Sequence, residues 1–144
     1  MKISTRGRYA LRIMLDIAIH DGETPVSFKD VSSRQGISVK YMEQIGSMLT
    51  RAGFLKGVRG AQGGYHLVGT ASDYTVGDIL RVTEGPFNIV PCMDGGCDMS
   101  GNCMTYPFWV KLNKAIIDVV DGTTLQDLLD EYSHTGLISI GAGI

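Results

Sequence analysis

The chain has 144 residues, 44 % of them hydrophobic and 19 % charged, a formal net charge of −2 and three cysteines. That length suits one domain with an appendage, the composition excludes a disordered chain, and no apolar run reaches the about 18 residues of a membrane span. The small net charge hides a split: residues 1–70 carry ten Lys/Arg against five Asp/Glu, and residues 71–144 carry three against ten, so only the front half suits a polyanion.

Ser4 or Thr5 caps a first helix running to His20, where Asp21-Gly22 stops it. Arg8, Arg12, Asp16 and His20 recur every fourth residue as one wet stripe, and apolar residues cover the rest, which predicts a helix buried nearly all round. Ser27 starts a short helix that ends near Gly36. Ser38 caps a third, running to about Ala52-Gly53, with Val39, Met42, Ile45, Leu49 and Ala52 facing inward. Helix, glycine turn and helix form a helix-turn-helix pattern. Two short strands, 54–58 and 65–68, then flank the Gly-rich turn Arg59-Gly60-Ala61-Gln62-Gly63-Gly64, a hairpin that reads as a wing.

Thr75 opens a helix over 76–82, stopped by Glu84-Gly85-Pro86. Residues 91–107 read as an irregular loop punctuated by Gly and Pro. An apolar helix follows over 108–120, then a short helix from Leu125 to Tyr132 capped by Thr124, then a Gly-rich flexible tail over 136–144. The fold class is mainly α with a small β wing: a winged helix-turn-helix domain (1–85), a cysteine-containing loop (86–107), and a dimerisation helix with a short C-terminal helix (108–135).

Three motifs carry chemistry. Ser38, Lys40, Tyr41 and Gln44 share one polar face near the start of the third helix. The first turns of a recognition helix reach base edges in the major groove; Gln pairs with adenine, and Lys neutralises phosphate. Glu43 borders this face. Arg59, beside Gly60, sits on a thin hairpin suited to a narrow, electronegative minor groove. The alternative is an ordinary solvated helix and turn, but helix-turn-helix, wing, arginine and basic half agree with one another.

Cys92, Cys97 and Cys103 lie within twelve residues of a Gly-rich loop. Thiolates are soft ligands that suit an iron–sulfur cluster, zinc or copper(I). The spacing is not that of a zinc ribbon, and a four-ligand site needs one more group, with Asp94, Asp98 and Tyr106 nearby. A redox pair with a spare thiol, or incidental cysteines, are the other readings. The start of the chain lacks the apolar core of a secretion signal, so we expect a cytoplasmic protein with reduced thiols. Trp109, Leu112, Ile116 and Val119 form a continuous stripe on the long helix, suited to a two-fold dimer that reads two half-sites; packing against the first helix within the monomer is expected as well. No Ser-His-Asp or Cys-His arrangement is evident, and the glycines after Arg59 lack the setting of a phosphate loop, so the chain does not read as an enzyme.

These residues resemble the bacterial winged-helix regulator family that includes IscR, NsrR and CymR. The matching stretches are KISTRGRYALRIMLDIA at the start, SVKYMEQIGSMLTRAGFLKGVRGAQGGYHL through helix and wing, and TVGDILRVTEGP after it. The resemblance implies a nucleoid-associated homodimeric transcription regulator of repressor type, on a palindromic site in double-stranded promoter DNA. It puts DNA contacts on Ser38, Lys40, Tyr41, Gln44 and Arg59 with Gly60. It also implies an iron–sulfur cluster on Cys92, Cys97 and Cys103, 2Fe–2S in preference to 4Fe–4S. Tyr106 stands where IscR-type members place a histidine and Arg8 where NsrR-type members place a carboxylate, so the fourth ligand is not identified. CymR-type members lack the trio and sense cysteine status. A response to cysteine, redox state or nitric oxide through thiols, zinc or a partner protein is therefore the alternative.

Overall fold

A computed structural model of the chain describes residues 2–95, 97–99 and 101–135; the expected tail lies outside the described residues. Helix α1 (Thr5–His20) starts where Ser4 Oγ accepts the Gly7 N–H at 3.1 Å, satisfying one of the orphan donors of its first turn. Ala10, Ile13, Met14 and Ile17 face inward and are fully buried. Two expectations for this helix need correction. Asp16, placed on a wet stripe, is 2 % exposed, because Arg34 and Gln35 reach it from the next helix. Ile19 is 45 % exposed, so the helix is not covered all round.

Helix α2 (Phe28–Gln35) begins at Ser27, whose Oγ accepts from the Asp30 amide. It ends at Gly36, whose φ of +65° is the left-handed turn that glycine enters at least cost. Helix α3 (Val39–Arg51) follows almost at once, capped by Ser38. A Cβ built at Gly46 would lie 2.2 Å from the Phe28 ring, so the close crossing of α2 and α3 depends on the missing side chain. Met42, Ile45 and Leu49 are buried as expected. Val39 is 40 % exposed and Ala52 is also exposed, against expectation: they sit at the first turn and the C-cap, beyond the layer that covers the centre of α3.

Strands β1 (Leu55–Val58) and β2 (Gly64–Leu67) pair antiparallel, from Leu55 opposite Leu67 to Val58 opposite Gly64. Helix α4 (Val76–Glu84) opens with a capping box between Thr75 and Asp78. Helix α5 (Tyr106–Asp121) starts two residues before its expected boundary. Pro107 lies in its first turn, where no amide hydrogen is needed, so the residue starts the helix rather than punctuating a loop. Helix α6 (Leu125–His134) has its own capping box, Thr124 with Asp127, and extends two residues past expectation. Its first amide, on Leu125, donates to Tyr74 O, which ties the start of α6 to the start of α4.

One cluster forms the core: α1 at its centre, α2 and α3 on one side, and α4 with Leu125 of α6 on another. Within the chain α5 packs chiefly on α4, rather than on α1 as expected. Arg81 of α4 forms a two-pronged pair with Asp121 of α5, at 2.7 and 2.8 Å. No helix among the described residues is long and apolar enough to cross a membrane.

Candidate nucleic-acid interface and cysteine loop

The first turn of α3 is exposed at Ser38 and Lys40, and Gln44 is exposed one turn later. Ser38 Oγ is committed as an acceptor to the Tyr41 amide at 3.2 Å, which leaves its hydroxyl hydrogen to donate outward. Lys40 and Gln44 have no hydrogen-bond or ion-pair partner among the described residues. Tyr41 differs from its neighbours. Its ring is half-buried, edge-on to Tyr9 with centroids 5.6 Å apart, and packs on the core. Glu43, Ser47 and Arg51 are exposed along the same helix.

Arg59 and Gly60 lie at the exposed end of the β1–β2 hairpin. Gly60 has φ +113°, a conformation side-chain-bearing residues rarely adopt. Arg59 is likewise without a partner among the described residues. Thr50 at the end of α3 and Gly57, Val58, Arg59 and Tyr65 of the hairpin line an open cleft of about 420 Å³. The polar start of α3 and the hairpin tip are therefore separate exposed surfaces, both rich in unpaired donors, held on one core. A helix fits the major groove and a thin basic hairpin the adjacent minor groove.

The three cysteines form no disulfide with one another and are partly exposed. Cys92 lies in a single 3-10 turn, Pro91–Asp94, and the Asn88 side-chain amide donates to Asp94 Oδ1. Cys103 is placed just before α5, with Sγ 3.2 Å from Thr105 Oγ1. Hydrogen bonds from the Thr105 hydroxyl and then from the Thr105 and Tyr106 amides hold the Cys103 thiol below its ordinary pKa. This environment favours the thiolate, the ligating form. In donor chemistry the loop fits a soft metal centre. Among the described residues, however, no three His, Cys, Asp or Glu side chains converge as a metal site.

On α5, Leu112 and Val119 of the expected stripe are exposed, and Trp109 and Ile116 are half-buried. Phe108, which the stripe did not include, is 56 % exposed and stacks edge-on with Trp109, centroids 5.0 Å apart. It stands four residues before Leu112, the spacing that could have placed it on the same face. The buried residue of this helix is Asn113, whose Oδ1 accepts the Ile89 amide at 3.2 Å and ties α5 to the segment leading into the cysteine loop. Sequence reasoning missed this contact, as well as an Asp21–His66 contact at the root of the hairpin. Their partners are 24 and 45 residues apart, with no motif to join them.

A capped helix-turn-helix, a basic hairpin beside it and a helix with an uncovered apolar face define a winged-helix DNA-binding regulator. Residues 3–131 match the model of the Rrf2 family, described as an iron-dependent transcriptional regulator. The chain is 41 % identical over 135 residues to protein rrf2 of Nitratidesulfovibrio vulgaris, covering 92 % of this chain and 90 % of that one. Among solved structures it is similar to CymR (YrzC), the global cysteine regulator of B. subtilis, with TM-score 0.78, 38 % identity, and 91 % and 98 % of the two chains covered. It is similar too to T. potens IscR, with TM-score 0.74, 43 % identity, and 91 % and 88 % covered. The chain belongs to the Rrf2 family: it is a DNA-binding transcriptional regulator and not an enzyme.

Proposed function

We propose that the protein is a homodimeric regulator that reads a palindromic promoter site and reports iron–sulfur cluster status. In this reading the first turn of α3 enters the major groove. Gln44 reads a base edge, Lys40 and the Ser38 hydroxyl engage phosphate, and Tyr41 contributes its hydroxyl while its ring steadies the helix on Tyr9. Arg59 and Gly60 bring the wing to the minor groove. The face made by Phe108, Trp109, Leu112, Ile116 and Val119 meets its copy in a second chain, which sets two α3 helices about one helical turn of DNA apart. Residues 1–85 form the reading domain, 86–107 the sensing loop and 108–135 the dimer element of a cytoplasmic, nucleoid-associated repressor.

The observation that supports the sensing assignment is the trio of free, partly exposed cysteines, Cys92, Cys97 and Cys103, in the segment that leads into α5. Cys92, Cys97 and Cys103 would hold the cluster, 2Fe–2S in preference to 4Fe–4S. Such a cluster, when bound, supplies a crosslink that oxidants and nitric oxide can break. The Asn113–Ile89 hydrogen bond then passes the state of the loop to α5. Similarity to CymR favours a second reading, in which the same fold answers to cysteine or redox state through thiols, zinc or a partner protein.

Anaerobic purification of the untagged protein tests the choice. Near-equal iron and sulfide, with operator affinity or site preference that changes on cluster removal, supports the first reading. A colourless protein that stays cluster-free after anaerobic reconstitution moves the assignment to the second. Equal DNA binding with and without a cluster removes the sensing role and leaves the DNA-binding role intact.

A further inference from the structure

Strand β2 gives one edge to β1 and turns the other toward the end of α1. On that outer edge Tyr65 exchanges two backbone hydrogen bonds with Val26: its N–H reaches Val26 O at 2.8 Å, and its C=O accepts from Val26 N at 2.9 Å. Amides two residues apart in a strand point the same way, so the Leu67 N–H also faces outward. Asp21 takes the place of a neighbouring strand there. Its Oδ2 accepts the Leu67 N–H at 2.9 Å, and its Oδ1 lies 2.6 Å from His66 Nδ1, which donates to it. Asp21 is the C-cap of α1, and its own amide donates to Ile17 O at 2.8 Å, so the carboxylate is fixed to the end of a buried helix.

We infer that Asp21 is a positioning residue for DNA recognition, which fastens the root of the wing to α1 and so sets the pose of Arg59 and Gly60 relative to α3. The inference rests on the wing contact proposed above. A four-residue strand is an arm of ~13 Å, so a tilt of about 10° at its root moves the tip by about 2 Å, enough to break a hydrogen bond. Five residues earlier on α1, Asp16 grips Arg34 and Gln35 at the end of α2, just before the turn into α3. One helix thereby carries both mounts, one for each reading element. Asp21 and His66 side chains keep 21 % and 28 % of their exposure, so removing their contact leaves the apolar core intact.

The test is a double-mutant cycle in the full-length protein. The probe is a duplex selected from random DNA by the wild type, measured beside an unselected duplex. Asp21→Ala is expected to weaken the selected duplex roughly tenfold, the loss of hydrogen bonds to a charged group, with a melting curve that shows a folded protein at the assay temperature. In an Arg59→Ala background the same change is expected to cost less than about twofold, because the wing it positions no longer makes its contact. Asp21→Asn, which keeps an acceptor for Leu67 N–H, should recover most of the loss, and His66→Ala should reproduce part of it. Equal losses from Asp21→Ala in both backgrounds would overturn the inference, since a general loss of stability adds rather than merges. So would no loss at all while Arg59→Ala alone weakens binding. No loss from Arg59→Ala would instead remove the wing contact, and the inference with it.

Discussion

The carboxylate of Asp16 on α1 receives the guanidinium of Arg34 on α2 side-on: Nη2 lies 2.7 Å from Oδ1, and Nε lies 3.1 Å from each oxygen. Gln35 Nε2 adds a fourth contact at 2.8 Å. Arg12, one turn before Asp16, donates to the Gln35 side chain and to its backbone oxygen. The hydrogen bonds to Asp16 raise the pKa of Arg34 despite partial burial. The last turn of α2 is thus held by two residues of α1 at the point where the chain turns into α3.

A buried charge that loses its partner costs more than the pair itself contributes. Arg34→Ala strands the Asp16 carboxylate, whose side chain is 2 % exposed, and should therefore destabilise the protein by about 3–5 kcal/mol. Urea unfolding followed by circular dichroism measures it. A change below 1 kcal/mol would mean that Gln35 and water satisfy the carboxylate at little cost.

Gln44 is exposed and unpartnered on the first turns of α3. If it reads a base, Gln44→Ala should cost about 1–3 kcal/mol at one base-pair position and little elsewhere. Binding measured across a panel of single-substituted operators separates the cases. A uniform loss that also shallows the salt dependence would assign Gln44 to phosphate.

Leu112 is exposed on the apolar face of α5, so a charge there disturbs the isolated chain little. Leu112→Glu should shift sedimentation equilibrium from dimer to monomer while the circular dichroism spectrum holds, because unpaired charges across a two-fold axis face each other. A dimer of undiminished affinity would place the interface elsewhere.

The Arg81 guanidinium holds the Asp121 carboxyl below the usual carboxylate range. A depressed carboxylate pKa contributes stability that is present above the unfolded value of about 3.9 and is lost as pH falls through the folded one. Both side chains are more than a third exposed, so the effect should stay below about 1 kcal/mol. Thermal melts between pH 5 and pH 2 should show a slightly shallower acid loss for Asp121→Asn than for the wild type. Identical slopes would show that solvent screens the pair completely.

The boundaries that could be read from sequence are those written in local chemistry. Ser4, Ser27, Ser38, Thr75 and Thr124 each accept a hydrogen bond from the backbone three residues ahead, and each marks a helix start. The hairpin around Gly60 was legible for the same reason. Asp16 misled because a four-residue period gives the face of a helix but not what lies opposite, and its partner belongs to another helix. Pro107 misled because proline both ends loops and starts helices. At the candidate interface the exposed residues of α3 and the wing were legible. The Asp21 and Asn113 contacts were not, since each joins segments distant in sequence through a single side chain.

Helix α1 touches α2, α3, α4, β2 and α6, and its buried residues share one cluster with Leu125. This has a temporal consequence. Helix α1 cannot complete its packing during synthesis until residues some hundred positions later have been made. Its apolar side chains spend that interval without their final neighbours, and closing such long loops slows folding. Assembly of the domain is therefore expected to come late and cooperatively, with nascent α1 as the part that most needs shielding from aggregation.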